Sequence, residues 1–135
     1  MDHVDRKKRS LIMAAVNSRD TGPEMAVRKI LHGLGYRYRL HVSALPGKPD
    51  MVFPARRKIV FVHGCFWHRH GNCRYATSPK TRKAFWQSKF AANVERDRRA
   101  KRELKREGWA VLTVWQCELK KRERLTGRLN DFLSN

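Results

Sequence analysis

The strongest constraint on this chain is the spacing of its cysteines and one histidine. Cys65, His70 and Cys73 lie in one short segment in the order Cys-x4-His-x2-Cys, and Cys117 follows a later apolar run. Three thiolates and one imidazole form a complete tetrahedral ligand set for zinc, and a closed set leaves no position for a catalytic water. The pattern therefore predicts a structural zinc site that ties a loop to a distant strand. The alternative is that Cys117 is an ordinary buried thiol.

The cysteines do not indicate a disulfide framework, because three is an odd number and the chain shows no export signal. Residues 1–10 are mostly charged, and no apolar run approaches the roughly 18 residues of a membrane span. We therefore expect a soluble protein that is not exported and does not contact a membrane.

The charge of the chain points to its partner. A formal net charge of +19, from 31 lysines and arginines against 12 acidic residues, exceeds what solubility requires. This charge favours a polyanionic partner, with nucleic acid as the first candidate. The alternative is a basic, solvated surface of the ribosomal type, since net charge alone says nothing about chemistry.

Hydrophobic periodicity predicts one α/β domain. The predicted elements, in chain order, are helices over 4–17 and from Thr21 to about 33–35, strands over 36–42, 50–53 and 58–63, a helix over 81–107 that stops at Gly108, a strand over 109–115 and a helix over 122–133. This order predicts a mixed β-sheet with helices packed on it. At the start of the second helix, Thr21 and Glu24 have the spacing of a capping box.

An acidic residue follows a proline-containing turn at the start of a predicted core strand. Asp50 comes directly after Pro49. Hard oxygen ligands suit Mg²⁺, and a carboxylate beside strand ends is how magnesium-dependent phosphodiesterases hold this ion. Asp50 is therefore a candidate magnesium ligand, although a simple turn with an Asx-type hydrogen bond would use the same residue.

His63 and His68 are not needed for the zinc set and lie beside it, and Asp97 lies on the long predicted helix. Histidine is the commonest general base near neutral pH, and a carboxylate partner orients its ring and raises its basicity. The three residues are therefore candidates for proton transfer. Each histidine alone could equally be an ordinary loop or core residue.

Aromatic side chains lie in the same loop, over residues 64–80. Phe66 and Trp67 are adjacent, so both cannot point into one core face, and an exposed aromatic in a basic chain suits base stacking or wedging. Trp86 lies on the long helix, where its spacing is more typical of a core residue. Lysines and arginines of the first and long helices would supply phosphate contacts.

Several of these segments together resemble one family. The stretches "LPGKPD", "VHGCFWHRH" and "NVERDRR", followed by "GW" and "VWQC", are similar to those of the very short patch repair endonucleases, and the resemblance covers nearly the whole chain. It implies a restriction-endonuclease-like α/β fold with a structural zinc. It also implies magnesium-dependent nicking 5′ to the thymine of T·G mismatches, which arise when 5-methylcytosine deaminates.

The resemblance further implies roles in catalysis. Asp50 and the backbone carbonyl of Val62 would bind Mg²⁺. His63 would contact water held by that ion, and His68, supported by Asp97, would activate the attacking water. The Glu-x-Lys motif of the nuclease superfamily is absent from residues 58–63, so activity would depend on these histidines.

Other roles follow from the same resemblance. Glu24 would help to order water in the active site, which competes with its capping-box role. The implied zinc ligands are Cys65, His70, Cys73 and Cys117. The implied DNA contacts are Phe66, Trp67 and Trp86 from the major groove, and Met13 of an N-terminal helix over 1–18 from the minor groove.

The expected partner is double-stranded DNA with a T·G mismatch, together with mismatch-repair proteins. We expect residues 1–135 to form one monomeric endonuclease domain in the prokaryotic cytoplasm, at the nucleoid, because no heptad pattern suggests assembly. Two other functions stay open at this point. The first is a zinc-stabilised DNA-binding module without catalysis, and the second is a restriction-type nuclease of the same fold without mismatch preference.

Overall fold

The computed structural model describes residues 22–66, 68–71, 73, 76 and 80–135. Its elements are α1 (Gly22–Gly33), β1 (Arg39–Leu40), β2 (Met51–Phe53), β3 (Lys58–His63), α2 (Lys83–Arg106), β4 (Ala110–Trp115) and α3 (Arg122–Ser134), with short 3₁₀ helices at Pro54–Arg56 and Gln116–Lys120. The predicted helix over 1–18, Met13, Thr21 and Trp67 lie outside the described residues, and the loop over 64–80 is described only in part.

The strands form one four-stranded sheet in the order β1-β2-β3-β4. β2 pairs with β1 and with β3 in antiparallel orientation, whereas β3 and β4 are parallel. The Pro54–Arg56 turn joins β2 to β3, and α2 makes the crossover that a parallel pair requires. The predicted mixed sheet flanked by helices is therefore confirmed.

Alternation along β3 divides the core between the two faces of the sheet. Val60 packs with side chains of α1 and α3, including Leu31 and Leu129. Ile59 and Phe61 point to the other face and pack with Leu104 of α2. His63 has the same parity as Ile59 and Phe61, so the end of β3 directs its side chain toward α2.

The predicted strand over 36–42 is wrong for most of its length. Only Arg39–Leu40 pair with β2, and both are exposed. Tyr36 and Tyr38 instead pack their ring edges against Phe53, with ring centroids 6.5 and 5.9 Å away. The chain leaves the extended conformation at His41, where φ is 50°. This left-handed residue therefore ends the strand earlier than the alternation indicated.

Two glycines are required by the backbone. Gly47, in the turn before Asp50, has φ of 76°, and a Cβ there would lie 2.7 Å from the Cβ of Ala100 on α2. This close approach seats the turn against α2. Gly108 has φ of 95° and follows the end of α2, which confirms it as the predicted helix stop.

α2 spans 24 residues and buries few side chains along that length, namely Phe90, Asn93, Ala100 and Leu104. Most of its remaining surface is polar or basic and faces solvent. Within the part of the chain that the structure describes, no helix has an apolar stretch long enough to cross a membrane.

Candidate active site and metal centre

The predicted cysteine and histidine ligands converge beyond the ends of β3 and β4. Cys65 follows β3 and is fully buried, while Cys117 lies in the 3₁₀ helix that follows β4. Because β3 and β4 are parallel neighbours, their carboxyl ends meet at one edge of the sheet. His70 and Cys73 complete the group, and the four ligand atoms lie within 4.8 Å of one another.

The distances within this Cys/His cluster fit a tetrahedral metal. The Nδ1 atom of His70 is 3.7 Å from Sγ of Cys65 and 3.5 Å from Sγ of Cys117. Ligands at the usual zinc distances of about 2.3 Å for sulfur and about 2.0 Å for nitrogen would be about 3.5 Å apart. These two distances match that spacing, so the cluster could bind a metal ion.

The thiols of the cluster favour their protonated forms when no cation is present. Burial, together with the neighbouring thiols of Cys73 and Cys117, raises the pKa of Cys65 to about 12 against the opposing backbone hydrogen bond of Cys117. Burial likewise raises the pKa of Cys117. Since thiolates bind metals and thiols do not, a divalent cation would compensate the charge that this environment otherwise disfavours.

The second group consists of His63, His68 and Asp97, which we call the histidine–aspartate group. Nδ1 of His68 and Oδ2 of Asp97 are 2.6 Å apart. The rings of His63 and His68 are stacked, with centroids 3.9 Å apart and planes 7° from parallel. The end of β3, the loop after it and helix α2 thus bring together these three predicted site residues.

Asp97 is held in its ionised form. Burial is the largest influence and would raise its pKa, but the His68 hydrogen bond and the charges of His63, His68 and Lys101 outweigh it, so the pKa is lowered. An ionised Asp97 accepts the proton of His68 Nδ1, which leaves Nε2 of His68 with its lone pair. That arrangement suits a general base.

His63 is the buried member of the group. Burial, followed by the positive charges of His68 and Lys101, lowers its pKa to about 3. Its Nδ1 atom is 4.0 Å from Oδ2 of Asp97, and among the described residues it has no hydrogen-bond partner. Ring contacts rather than hydrogen bonds therefore hold this side chain.

Asp50 lies beside the end of β3, where the backbone N–H of Val62 donates to its Oδ2 at 2.7 Å. Burial raises the pKa of Asp50 to about 7, and the nearby carboxylate of Glu24 raises it as well, against the opposing Val62 hydrogen bond and Arg28 charge. Two carboxyl groups crowded in this way form a site where a cation would stabilise the ionised state.

Glu24 is buried on α1, with 2% of its surface exposed. Its Oε2 atom contacts the guanidinium of Arg28 and lies 3.0 Å from Nε2 of His41. The ligand atoms of Glu24, His41 and Asp50 lie within 4.8 Å of one another. The structure therefore brings Glu24 close to Asp50.

Sequence reasoning missed Arg28 and His41. Arg28 carried a usable signal, since it lies four residues after Glu24 on the same helix. His41 carried none, because the alternating pattern assigned it to the solvent side of a strand, and only its left-handed backbone turns the ring toward Glu24.

An aromatic cluster lies between the loop and the first half of α2. Phe66 meets Trp86 and Phe90 edge-on, at centroid distances of 6.0 and 5.1 Å. Phe66 and Trp86 are half-buried. The guanidinium of Arg69 lies 4.2 Å from the centre of the Phe90 ring. Phe85 is 44% exposed and completes an aromatic surface with basic neighbours.

Comparison with known proteins identifies the family. The family model described as "DNA mismatch endonuclease Vsr" matches residues 1–74. "Type II nicking enzyme V.XorIIP" of Xanthomonas oryzae pv. oryzae is 50% identical over 132 residues, covering 98% of this chain and 96% of that protein.

"DNA mismatch endonuclease Vsr" of Escherichia coli is 45% identical over 125 residues, covering 93% of this chain and 80% of that protein. "Type II nicking enzyme V.NmeAIP" of Neisseria meningitidis is 42% identical over 129 residues, covering 96% of this chain and 91% of that protein. These similarities extend past the histidine–aspartate group and confirm the resemblance noted from the sequence motifs. The chain therefore belongs to the Vsr family and is a DNA endonuclease.

Proposed function

We propose that this endonuclease nicks DNA 5′ to the thymine of T·G mismatches that arise from 5-methylcytosine deamination, and that the nick initiates very short patch repair. The observation that carries the proposal is the 2.6 Å contact between His68 and Asp97, beside the buried His63. Asp50 lies nearby, because it accepts the backbone N–H of Val62, the residue before His63. The names of the E. coli relative and of the family model, both mismatch endonucleases, support the choice of substrate.

Asp50 and the backbone carbonyl of Val62 are the proposed ligands of a catalytic Mg²⁺. The crowding of Asp50 with Glu24 fits a site for a hard divalent cation. When bound, Mg²⁺ would neutralise charge on the attacked phosphate and on the leaving oxygen. Glu24, fixed by Arg28 and His41, orients water in the same site.

His68 is the proposed general base. Its Nδ1–H donates to Asp97, so Nε2 accepts a proton from the water that attacks phosphorus. The bond from phosphorus to the leaving oxygen then breaks, and that oxygen takes up a proton from solvent water. His63, stacked on His68, contacts water in the site and keeps the ring of the base parallel to its own.

DNA contacts are assigned to the aromatic cluster and to residues before it. Phe66, Trp67 and Trp86 enter the base stack beside the mismatch, where pairing is weakest and unstacking costs least. Met13, in the segment 1–18 that the sequence predicts to be helical, would approach from the opposite groove. This wedge predicts that Trp67→Ala loses preference for mismatched over paired duplex.

The Cys/His cluster is proposed to hold a structural zinc, because it is closed and sulfur-rich. We further propose that residues 1–135 form one restriction-endonuclease-like domain that acts as a cytoplasmic monomer at the nucleoid. Mismatch-repair proteins would cooperate with it after the nick.

The test is to incubate the protein and Mg²⁺ with end-labelled duplexes that carry T·G or C·G at one position, then map any cut to the nucleotide. We expect one nick 5′ to the mismatched thymine and none in the C·G duplex or with Asp50→Ala. Equal cutting of both duplexes would remove the mismatch role and favour a restriction-type nuclease. Binding without cutting in any context would contradict the catalytic assignments.

A further inference from the structure

Trp115 lies between the Cys/His cluster and the histidine–aspartate group. Its indole ring stacks on the ring of His70, with centroids 4.3 Å apart and planes 10° from parallel. The same indole meets His63 edge-on, with centroids 5.4 Å apart. The two histidines belong to different groups, so one side chain contacts both.

The backbone fixes this placement. Trp115 is the last residue of β4, and it is the register partner of His63 at the end of the parallel strand β3. Register partners on adjacent strands direct their side chains to the same face. Cys117, two residues beyond Trp115, belongs to the Cys/His cluster.

His63 depends on such contacts for its orientation. The second nitrogen of a functional histidine is usually fixed by a hydrogen bond, but Nδ1 of His63 has no such partner among the described residues. The rings of Phe61, His68 and Trp115 surround it instead, at centroid distances of 5.4, 3.9 and 5.4 Å.

We propose that Trp115 is a positioning residue that couples the Cys/His cluster to the catalytic histidines. A metal that fixes His70 also fixes the indole stacked on it, and the indole limits the tilt of His63. Through the stacked pair, this contact sets the direction of Nε2 on the general base His68. The coupling gives the structural metal a function in catalysis, and it rests on the roles proposed above for His63 and His68.

Three variants test this inference: Trp115→Leu, Trp115→Phe and the matched control Trp109→Leu. Trp109 is a half-buried tryptophan directly before the start of the same strand, and its ring lies 4.1 Å from the guanidinium of Arg57. All variants are studied with zinc bound, below their unfolding temperatures. The readouts are the single-turnover nicking rate at saturating mismatched DNA, the affinity for that DNA, and the imidazole NMR resonances of His63 and His68.

Since misplacing a reacting group by about 1 Å costs roughly 100-fold, we expect Trp115→Leu to slow nicking by about 10- to 100-fold with unchanged DNA affinity. Trp115→Phe should recover part of the rate, and Trp109→Leu should nick as the unchanged protein does. Equal rate losses in Trp115→Leu and Trp109→Leu would overturn the proposal, because general destabilisation would then explain both.

The NMR readout is independent of cutting. Exchanging Zn²⁺ for the larger Cd²⁺ should move the His63 and His68 resonances in the unchanged protein and in Trp109→Leu, but not in Trp115→Leu. Shifts that persist in Trp115→Leu would show that the indole does not carry the coupling. If the unchanged protein fails to nick T·G duplexes, the proposed function fails while this spectroscopic test keeps its meaning.

Discussion

The Cys/His cluster and the histidine–aspartate group lie at the same edge of the sheet, yet they satisfy their charges differently. In the first, burial raises the pKa of the Cys65 and Cys117 thiols. In the second, the His68 hydrogen bond helps to lower the pKa of Asp97 despite its burial. Ionised thiolates in the first group would need a cation from outside, whereas the charges of the second are balanced by its own members.

This difference suits the Cys/His cluster to stabilising the fold and the histidine–aspartate group to proton transfer. A closed sulfur-rich set stabilises the fold when metal binds, because the ligand geometry exists only in the folded chain. A histidine paired with an ionised carboxylate is ready to accept a proton without any change of structure. The comparison therefore predicts that substitutions in the Cys/His cluster mainly lower stability, whereas substitutions in the histidine–aspartate group mainly lower the nicking rate.

The largest effect should come from His68→Ala. Removal of a general base costs about 10²- to 10⁴-fold in rate, and we expect that loss in single-turnover nicking with little change in DNA affinity or unfolding temperature. The exposed His32→Ala is the control and should nick normally. Nicking at the normal rate by His68→Ala would refute its role.

Cys117→Ser should have the converse effect. We expect zinc content to fall and the free energy of unfolding to drop by about 4 kcal/mol or more, because loss of a structural metal is among the most destabilising changes. Metal analysis and urea denaturation measure both. A variant with unchanged stability and metal content would show that Cys117 is an ordinary thiol.

The pH dependence of stability should identify the crowded carboxylates. The pKa of Asp50 is raised from 3.8 to about 7. Its protonated carboxyl group therefore contributes fully to the free energy of unfolding below about pH 4, and this contribution is lost as the pH rises through 7. Without added Mg²⁺, Asp50→Asn should therefore be more stable than the unchanged protein at pH 8, by at most about 4 kcal/mol. At pH 4 the two should be equal.

Denaturation of the unchanged protein and of Asp50→Asn, compared at equal metal content at each pH, measures the difference. The exposed Asp131→Asn serves as the control and should follow the unchanged protein. A pH profile for Asp50→Asn parallel to that of the unchanged protein would contradict the raised pKa.

The smallest effect should come from the aromatic cluster. Stacking of a base on an aromatic ring contributes about 1 to 3 kcal/mol, so Trp86→Ala should weaken binding to T·G duplex by about tenfold or more and leave C·G binding nearly unchanged. Competition binding with the two duplexes measures this preference. An equal loss for both duplexes would mean that Trp86 only packs against Phe66.

Much of this architecture could be predicted from local patterns. Strong apolar runs identified β3 and β4, and Gly108 marked the end of α2. The Cys/His cluster could also be predicted, because metal ligand types are few and every cysteine of the chain takes part.

The remaining features depend on contacts that no local pattern encodes. The strand expected over 36–42 ends at Leu40, because His41 has a left-handed backbone and its ring contacts Glu24 of α1. The position of Trp115 between His70 and His63 follows from the parallel register of β3 with β4. Alternation predicts which face a residue occupies, but not which strand lies beside it.

The central claim, that His68 and Asp97 act as one catalytic unit, is tested most directly by a double-mutant cycle. Single-turnover nicking of a T·G duplex would be measured for His68→Ala, Asp97→Asn and the double variant. Residues that act as a unit are strongly non-additive, so we predict that the double variant nicks about as slowly as His68→Ala alone. Fully additive losses, or normal nicking by Asp97→Asn, would contradict the account.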